Sequence, residues 1–295
     1  MTLPAARGLF VPITTPFLAN GGGVDEAALT ANVRRLLEQG VGGIVVCGST
    51  GEAALLSPSE QARVVELARA VIPDDRWLVA GTGAESTRAT IELTREAARA
   101  GTDAVMLRPP AYYGPTLGAA AIARHFRAVA DASPVPVFLY NIPKYTHFAL
   151  DPETVAALAG HPQILGLKDS GGDMERFAAY RAAAPSWTVF VGSLGHVIAA
   201  VEQGAVGGIL AAGCFLAEAI NRLFAALSRG EREVAQGLQE TLTPVAREIV
   251  GRLGVPGVKC AMDILGWAGG APRPPLEPLD AAGRDRVAAI LGAID

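Results

Sequence analysis

The chain holds three lysines among 295 residues: Lys144, Lys168 and Lys259. Lys168 directly follows the apolar run Ile164-Leu165-Gly166-Leu167, so it ends a buried stretch rather than a solvated one. An amine placed there loses hydration, which penalises the ammonium and can lower its pKa by several units from about 10.4. The neutral amine attacks a ketone to form an imine. The iminium nitrogen then takes up the electron pair released when a neighbouring carbon–carbon bond breaks. Position alone leaves a second reading open, in which Lys168 reaches to the surface or pairs with Asp169. Lys144 and Lys259 stand in loop and helix contexts that suit solvated or structural roles.

Three other groupings could serve such an amine. Gly48-Ser49-Thr50-Gly51-Glu52 supplies two hydroxyls and glycine-permitted N–H groups that can hold a carboxylate. It also reads as an ordinary turn in which Ser49 or Thr50 caps a bend. Tyr140-Asn141-Ile142-Pro143 puts a phenol at another strand end, where it could shuttle a proton or sit satisfied in the core. Tyr112-Tyr113 reads as aromatic packing at a subunit contact. His125, His147, His161 and His196 have no metal-ligand spacing and read as surface or helix-end residues. Cys47, Cys214 and Cys260 are too scattered for a disulfide framework or a zinc site. No metal is expected. No nucleotide cofactor is expected either, because Gly81-Thr82-Gly83 lacks the third glycine of a dinucleotide fingerprint and no phosphate loop occurs.

These residues need elements to carry them. Short apolar runs recur at Gly8 to Ile13, Gly43 to Cys47, Trp77 to Ala80, Ala104 to Leu107, Val135 to Tyr140, Ile164 to Lys168, Val189 to Gly192 and Val206 to Leu210. Each is followed by a break and an Ala/Leu/Arg/Glu-rich segment with helical spacing. Asp25, Ser57-Pro58, Ser86 and Asp151-Pro152 stand as caps at helix starts. Continuous apolar strands are those buried on both faces, which predicts a parallel sheet covered by helices. Eight such units in about 215 residues match a (β/α)8 TIM barrel, with a doubly wound open sheet as the rival. The division expected is a barrel over 1–214 and a C-terminal helical extension over 215–295, packed on the same body, with helices through Asn221 to Ser228 and Glu231 to Leu253.

Composition narrows the partners. The chain is 50% hydrophobic and 18% charged, with 29 acidic against 25 basic residues and a net charge of −4, which excludes disorder. No basic cluster marks a nucleic acid or an anionic membrane, so a small molecule is the expected partner. Met1 to Arg7 lacks a basic region followed by an apolar stretch, and no run of about 18 apolar residues occurs. The reading is a cytoplasmic protein, neither secreted nor membrane-spanning.

Taken together, the motifs resemble the pyruvate-dependent class I aldolase superfamily that includes dihydrodipicolinate synthase and N-acetylneuraminate lyase. The likeness is carried by Pro12-Ile13-Thr14-Thr15-Pro16-Phe17, Gly48 to Glu52, Tyr140-Asn141-Ile142-Pro143 and Gly166-Leu167-Lys168-Asp169-Ser170, in order and nearly end to end. The resemblance implies the barrel with its helical extension, a homotetramer built as a dimer of dimers, and no cofactor. It implies Lys168 as the Schiff-base lysine and Tyr140 as the proton carrier. Ser49 and Thr50 match the hydroxyl pair for the keto-acid carboxylate, with Ser49 also in the proton relay. Tyr113 matches a tyrosine that completes that relay in the neighbouring subunit's site, and Gly192 and Ile209 fall where backbone groups line the pocket.

Two departures bear on the substrate. Synthases of this superfamily usually carry an arginine shortly after the tyrosine motif to hold the aldehyde's carboxylate; the matching stretch here is Lys144-Tyr145-Thr146-His147, so that bidentate anchor is missing. Sialic acid lyases place acidic residues after the seventh strand, where this chain has Gly192-Ser193-Leu194-Gly195-His196. The segments Ala80 to Thr87, Lys168 to Asp173 and Gly254 to Lys259 look most like 4-hydroxy-2-oxoglutarate aldolases. The leading expectation is therefore a lyase that cleaves a 4-hydroxy-2-oxo acid, such as 4-hydroxy-2-oxoglutarate or a 2-keto-3-deoxy sugar acid, to pyruvate and an aldehyde. The alternatives are a dihydrodipicolinate synthase condensing pyruvate with aspartate-semialdehyde and, from another class, a non-catalytic keto-acid sensor.

Overall fold

The computed structural model describes residues 4–19 and 22–294. The reading of a missing leader falls partly on Met1-Thr2-Leu3, which lie outside the described residues. Eight strands form: β1 Gly8–Pro12, β2 Gly43–Val46, β3 Trp77–Gly81, β4 Ala104–Leu107, β5 Val137–Asn141, β6 Ile164–Asp169, β7 Thr188–Val191 and β8 Gly207–Ile209. They run parallel in sequence order and close between β8 and β1, so the sheet is a (β/α)8 barrel and the open doubly wound alternative is excluded.

Strand periodicity divides the core in two. Phe10, Val45, Val79, Met106, Phe138, Phe190 and Ile209 cluster with Tyr140 inside the barrel. Their chain neighbours Leu9, Val11, Ile44, Val46, Leu78, Val105, Leu139 and Val189 join the layer between strands and helices. Helices α1 Glu26–Glu38, α2 Pro58–Arg69, α3 Thr87–Arg99 and α4 Ala119–Ala132 follow the first four strands. Short α5 Pro143–Thr146 and α6 Pro152–Leu158 both follow β5, and α7 Met174–Ala183 and α8 Val197–Glu202 follow β6 and β7. Asp25 and Ser86 accept capping bonds from Ala28 and Ala89, and Ser57 forms a reciprocal capping box with Glu60. Asp151 holds the cap position by backbone alone; its side chain accepts no capping bond, and Pro152 starts the helix.

The C-terminal helices are α9 Gly213–Ser228, α10 Arg232–Ala246, α11 Gly254–Ile264 and α12 Ala281–Leu291. The single helix expected from Glu231 to Leu253 is interrupted. Pro244 removes a helical N–H donor near the end of α10, and residues Arg247–Arg252 continue as a wider π-helical turn before α11. α9 packs on β1, while α10 packs on α8 and on the short turn Leu194–His196 that follows β7. This docking sets the π turn beside the end of the barrel from which α5 and α8 emerge.

Candidate active site

The site follows from strand register. β5 and β6 pair Tyr140 with Lys168 and Asn141 with Asp169, so a period of two sends one pair inward and the next outward. The outward pair is spent on structure. Asn141 Nδ2 donates to Asp169 Oδ1 at 2.6 Å, the Gly171 N–H donates to the same oxygen at 3.0 Å, and Asn141 Oδ1 accepts from the Leu150 N–H. This answers the question left open about Lys168: its neighbour Asp169 is already engaged, and no carboxylate pairs with the lysine among the described residues.

Lys168 is 4% exposed, with Nζ 4.2 Å from the centre of the Tyr140 ring. Burial without an opposing carboxylate pulls its amine down to about 7. Burial acts the other way on Tyr140, pushing the phenol up to about 12 against hydrogen bonds from Ser170 and Ser49. Near neutral pH the site therefore presents a substantial fraction of free amine beside a phenol that keeps its proton.

The hydroxyl pair stands on a constrained bend. Cys47 and Glu52, which flank Gly48 to Gly51, both adopt left-handed backbone (φ 51° and 57°), uncommon for residues with a side chain. The Gly51 carbonyl accepts from Thr15 Oγ1 at 2.7 Å, and the Glu52 N–H donates to the Ser49 carbonyl. Glu52 itself is buried, with Oε1 2.6 Å from Lys259 Nζ of α11 and Oε2 accepting from the Arg273 N–H at 2.8 Å. The segment is a hydrogen-bonded turn, and Glu52 ties it to Lys259 and Arg273 of the C-terminal extension.

Lys168, Tyr140, Ser49, Thr50, Gly192 and Ile209 all line one cavity of about 450 Å³ at the barrel mouth. Gly192 is there because a Cβ would come 1.9 Å from Ser170 Oγ. Tyr113 is not in this cavity; it is 68% exposed and stacks edge-on against Tyr112 with ring centres 4.8 Å apart.

Other wall residues escaped the sequence reading. Ser170 directly follows β6 and could have been found by the strand-end rule; Thr243 of α10 and Arg247 of the π turn could not, because only the docking of the C-terminal helices brings them to the mouth, and Lys144 of α5 stands out in sequence only as part of the anchor stretch. Of the histidine readings, that of His196 holds and that of His125 needs correction. His196 does sit at a helix end, yet it lines the cavity, with Nδ1 3.2 Å from Ser193 Oγ. His125 is buried within α4 against Thr87 Oγ1, its helical face being an apolar one, and burial lowers its pKa to about 4. No cluster of three His, Cys, Asp or Glu side chains arranged to hold a metal occurs among the described residues. No helix among them is long and apolar enough to cross a membrane.

Residues 5–294 match the model of the dihydrodipicolinate synthetase family. A 4-hydroxy-tetrahydrodipicolinate synthase of Parasynechococcus marenigrum is 35% identical over 302 residues, covering 100% of this chain and 99% of that protein. Dihydrodipicolinate synthase DapA-2 of Bacillus anthracis superposes with a TM-score of 0.93 at 31% identity, covering 98% of both chains. The chloride-inhibited dihydrodipicolinate synthase of Acinetobacter baumannii, solved with pyruvate, gives 0.92 at 32% identity over 98% of both chains.

Proposed function

Because the chain belongs to the dihydrodipicolinate synthetase family and is one of its enzymes, we propose that it joins pyruvate to an aldehyde through an imine on Lys168. The observation that carries this reading is the Lys168 amine, buried and without a carboxylate partner, 4.2 Å from the Tyr140 ring in the cavity that Ser49 and Thr50 also line. The amine adds to the ketone carbon of pyruvate and the ketone oxygen leaves as water, giving an iminium. Loss of a C3 proton to a base then gives the enamine, whose carbon attacks the aldehyde. The aldehyde oxygen gains a proton as the new bond forms, and Tyr140, which holds its proton up to about pH 12, is the acid for it. Ser49 and Thr50 hydroxyls hold the pyruvate carboxylate.

Full-length relatives bear the name 4-hydroxy-tetrahydrodipicolinate synthase or dihydrodipicolinate synthase, which supports condensation with aspartate-semialdehyde over the aldolase reading that the sequence put first. One observation keeps the second reading: no arginine stands in Lys144 to His147, the stretch where a synthase is expected to anchor the semialdehyde. Retro-aldol cleavage of a 4-hydroxy-2-oxo acid runs the same steps backwards. Tyr113, exposed at 68%, is proposed to enter the site of a neighbouring copy in a homotetramer. Borohydride added with pyruvate should leave one adduct, on Lys168; its absence at saturating pyruvate would reject the imine. Turnover of pyruvate with aspartate-semialdehyde, set against pyruvate release from 4-hydroxy-2-oxoglutarate, separates the two directions. Pyruvate binding without either turnover would identify a sensor.

A further inference from the structure

The connection between α11 and α12 first lies against α11 and then reaches the loops that follow β1 and β2. A Cβ on Gly269 would meet the Lys259 carbonyl at 2.0 Å, so only glycine fits that crossing. Pro272, Pro274 and Pro275 lack an N–H, which leaves the Arg273 N–H as the one backbone donor of residues 272–275, and it goes to Glu52 Oε2. The Arg273 side chain, 14% exposed, makes four hydrogen bonds to three segments: a fork onto both Glu60 oxygens at 2.7 and 2.8 Å, one to the Leu55 carbonyl at 2.9 Å and one to the Gly22 carbonyl at 2.7 Å. Its guanidinium carbon stands 4.2 Å from the centre of the Phe17 ring, and Lys259 Nζ is 4.5 Å from the same ring. Glu60 also closes the capping box of α2, and the guanidinium holds its carboxyl down at about 2. Neither Arg273 nor Glu52 lines the cavity. A left-handed residue such as Glu52 persists only where its surroundings over-determine it, and here they do so from both sides of the bend: the Arg273 N–H takes Glu52 itself, and the guanidinium takes Leu55 and Glu60 further on.

We infer that Arg273 is a positioning residue for the pyruvate carboxylate: acting through Glu52, it fixes the bend on which Ser49 and Thr50 stand, so the preference for a 2-oxo acid over a plain ketone is set from the C-terminal extension. This rests on the imine at Lys168 and on the hydroxyl pair, and adds what aims that pair.

The test is borohydride trapping on Lys168 at limiting ketone, comparing pyruvate with acetone, which keeps the ketone and lacks the carboxylate. Arg273→Met should slow adduct formation with pyruvate roughly 10-fold, and with acetone by less than about twofold, because only the carboxylate meets the misaimed hydroxyls. Arg273→Lys should lie between, since it restores the charge without the fork. In a chain already carrying Ser49→Ala and Thr50→Val, Arg273→Met should add less than about twofold on pyruvate, because the groups it aims are gone. Both ketones are read on one preparation, so a fraction of unfolded protein cancels from their ratio. If Arg273→Met does not accumulate, Glu60→Gln breaks the same fork from the other side and is held to the same ratio. Equal slowing on both ketones, no slowing on pyruvate, or an undiminished loss without the hydroxyls would each overturn the positioning role and leave the imine standing. No adduct between wild type and pyruvate would reject the imine and this role together.

Discussion

Lys168 and Lys259 are both buried, at 4% and 1% exposure, yet they do opposite work. Lys259 meets Glu52 Oε1 at 2.6 Å and donates to the Ala271 carbonyl, and its cation lies 4.5 Å from the Phe17 ring. Burial pulls its ammonium down, and the Glu52 carboxylate pushes back. Lys168 has the burial without the carboxylate, and the nearest π face is that of Tyr140. Burial makes a lysine costly; a missing partner makes it a nucleophile. The fold enforces the difference through register, because the one carboxylate next to Lys168 in sequence faces the other side of β6.

The largest break in this contrast is Lys168→Met. It should remove the borohydride adduct and lower turnover by at least about 10³-fold, since the other amine lining the cavity, Lys144, is exposed and bound to the Gly251 carbonyl. The same variant should be more stable than the wild type. An amine held at about 7 against an ordinary 10.5 costs roughly 4 kcal/mol at neutral pH, and methionine fills the space without that cost. Loss of activity together with lower stability would mean that Lys168 is structural, like Lys259.

Next in size is Glu52→Gln, which leaves Lys259 as a buried cation without its counter-charge. Removing one member of a buried pair costs about 3–5 kcal/mol, while replacing both by apolar residues is often neutral. Glu52→Gln should thus destabilise strongly in thermal or urea unfolding, and Glu52→Leu with Lys259→Met should restore most of the loss. Since Glu52 follows Gly51 directly, the single variant should also raise KM for pyruvate by loosening Ser49 and Thr50. A Glu52→Gln enzyme with unchanged stability and KM would show that the pair does not position the loop.

How far these roles were legible differs along the chain. The eight strands were readable because strands buried on both faces carry unbroken apolar runs, and Lys168 stood out because it ends one of them. Whether Lys168 was free or paired was not readable: Asp169 sits next to it in sequence, and only the β5–β6 register shows Asn141 claiming that carboxylate. Lys259 looked solvated or structural from its helical context. Its partner Glu52 lies 207 positions earlier, a contact that no local pattern encodes. Arg247 is similar. Its chain neighbourhood is an ordinary amphipathic helix, and the π turn that brings it to the cavity depends on Pro244 and on how α10 docks.

The smallest expected effect sharpens the comparison most, because it separates the two lysines without disrupting either. The free-amine fraction of Lys168 should grow about tenfold per pH unit below its pKa of about 7 and level off above it. The rate of pyruvate imine formation, followed by borohydride trapping at limiting pyruvate, should trace that curve. Tyr140 adds no second break in the accessible range, since its proton stays on until about pH 12. Stability should follow the same group with the opposite emphasis. Between about pH 7 and 10.5 the unfolded chain binds a proton that native Lys168 does not, so unfolding free energy should rise with pH across that window. Lys168→Met should flatten this part of the curve. In the double variant Glu52→Leu with Lys259→Met, the break in imine formation near pH 7 should remain, because the group that sets it is untouched. A break that moved with Lys259 instead would assign the titration to the paired lysine and remove the physical basis for distinguishing the two.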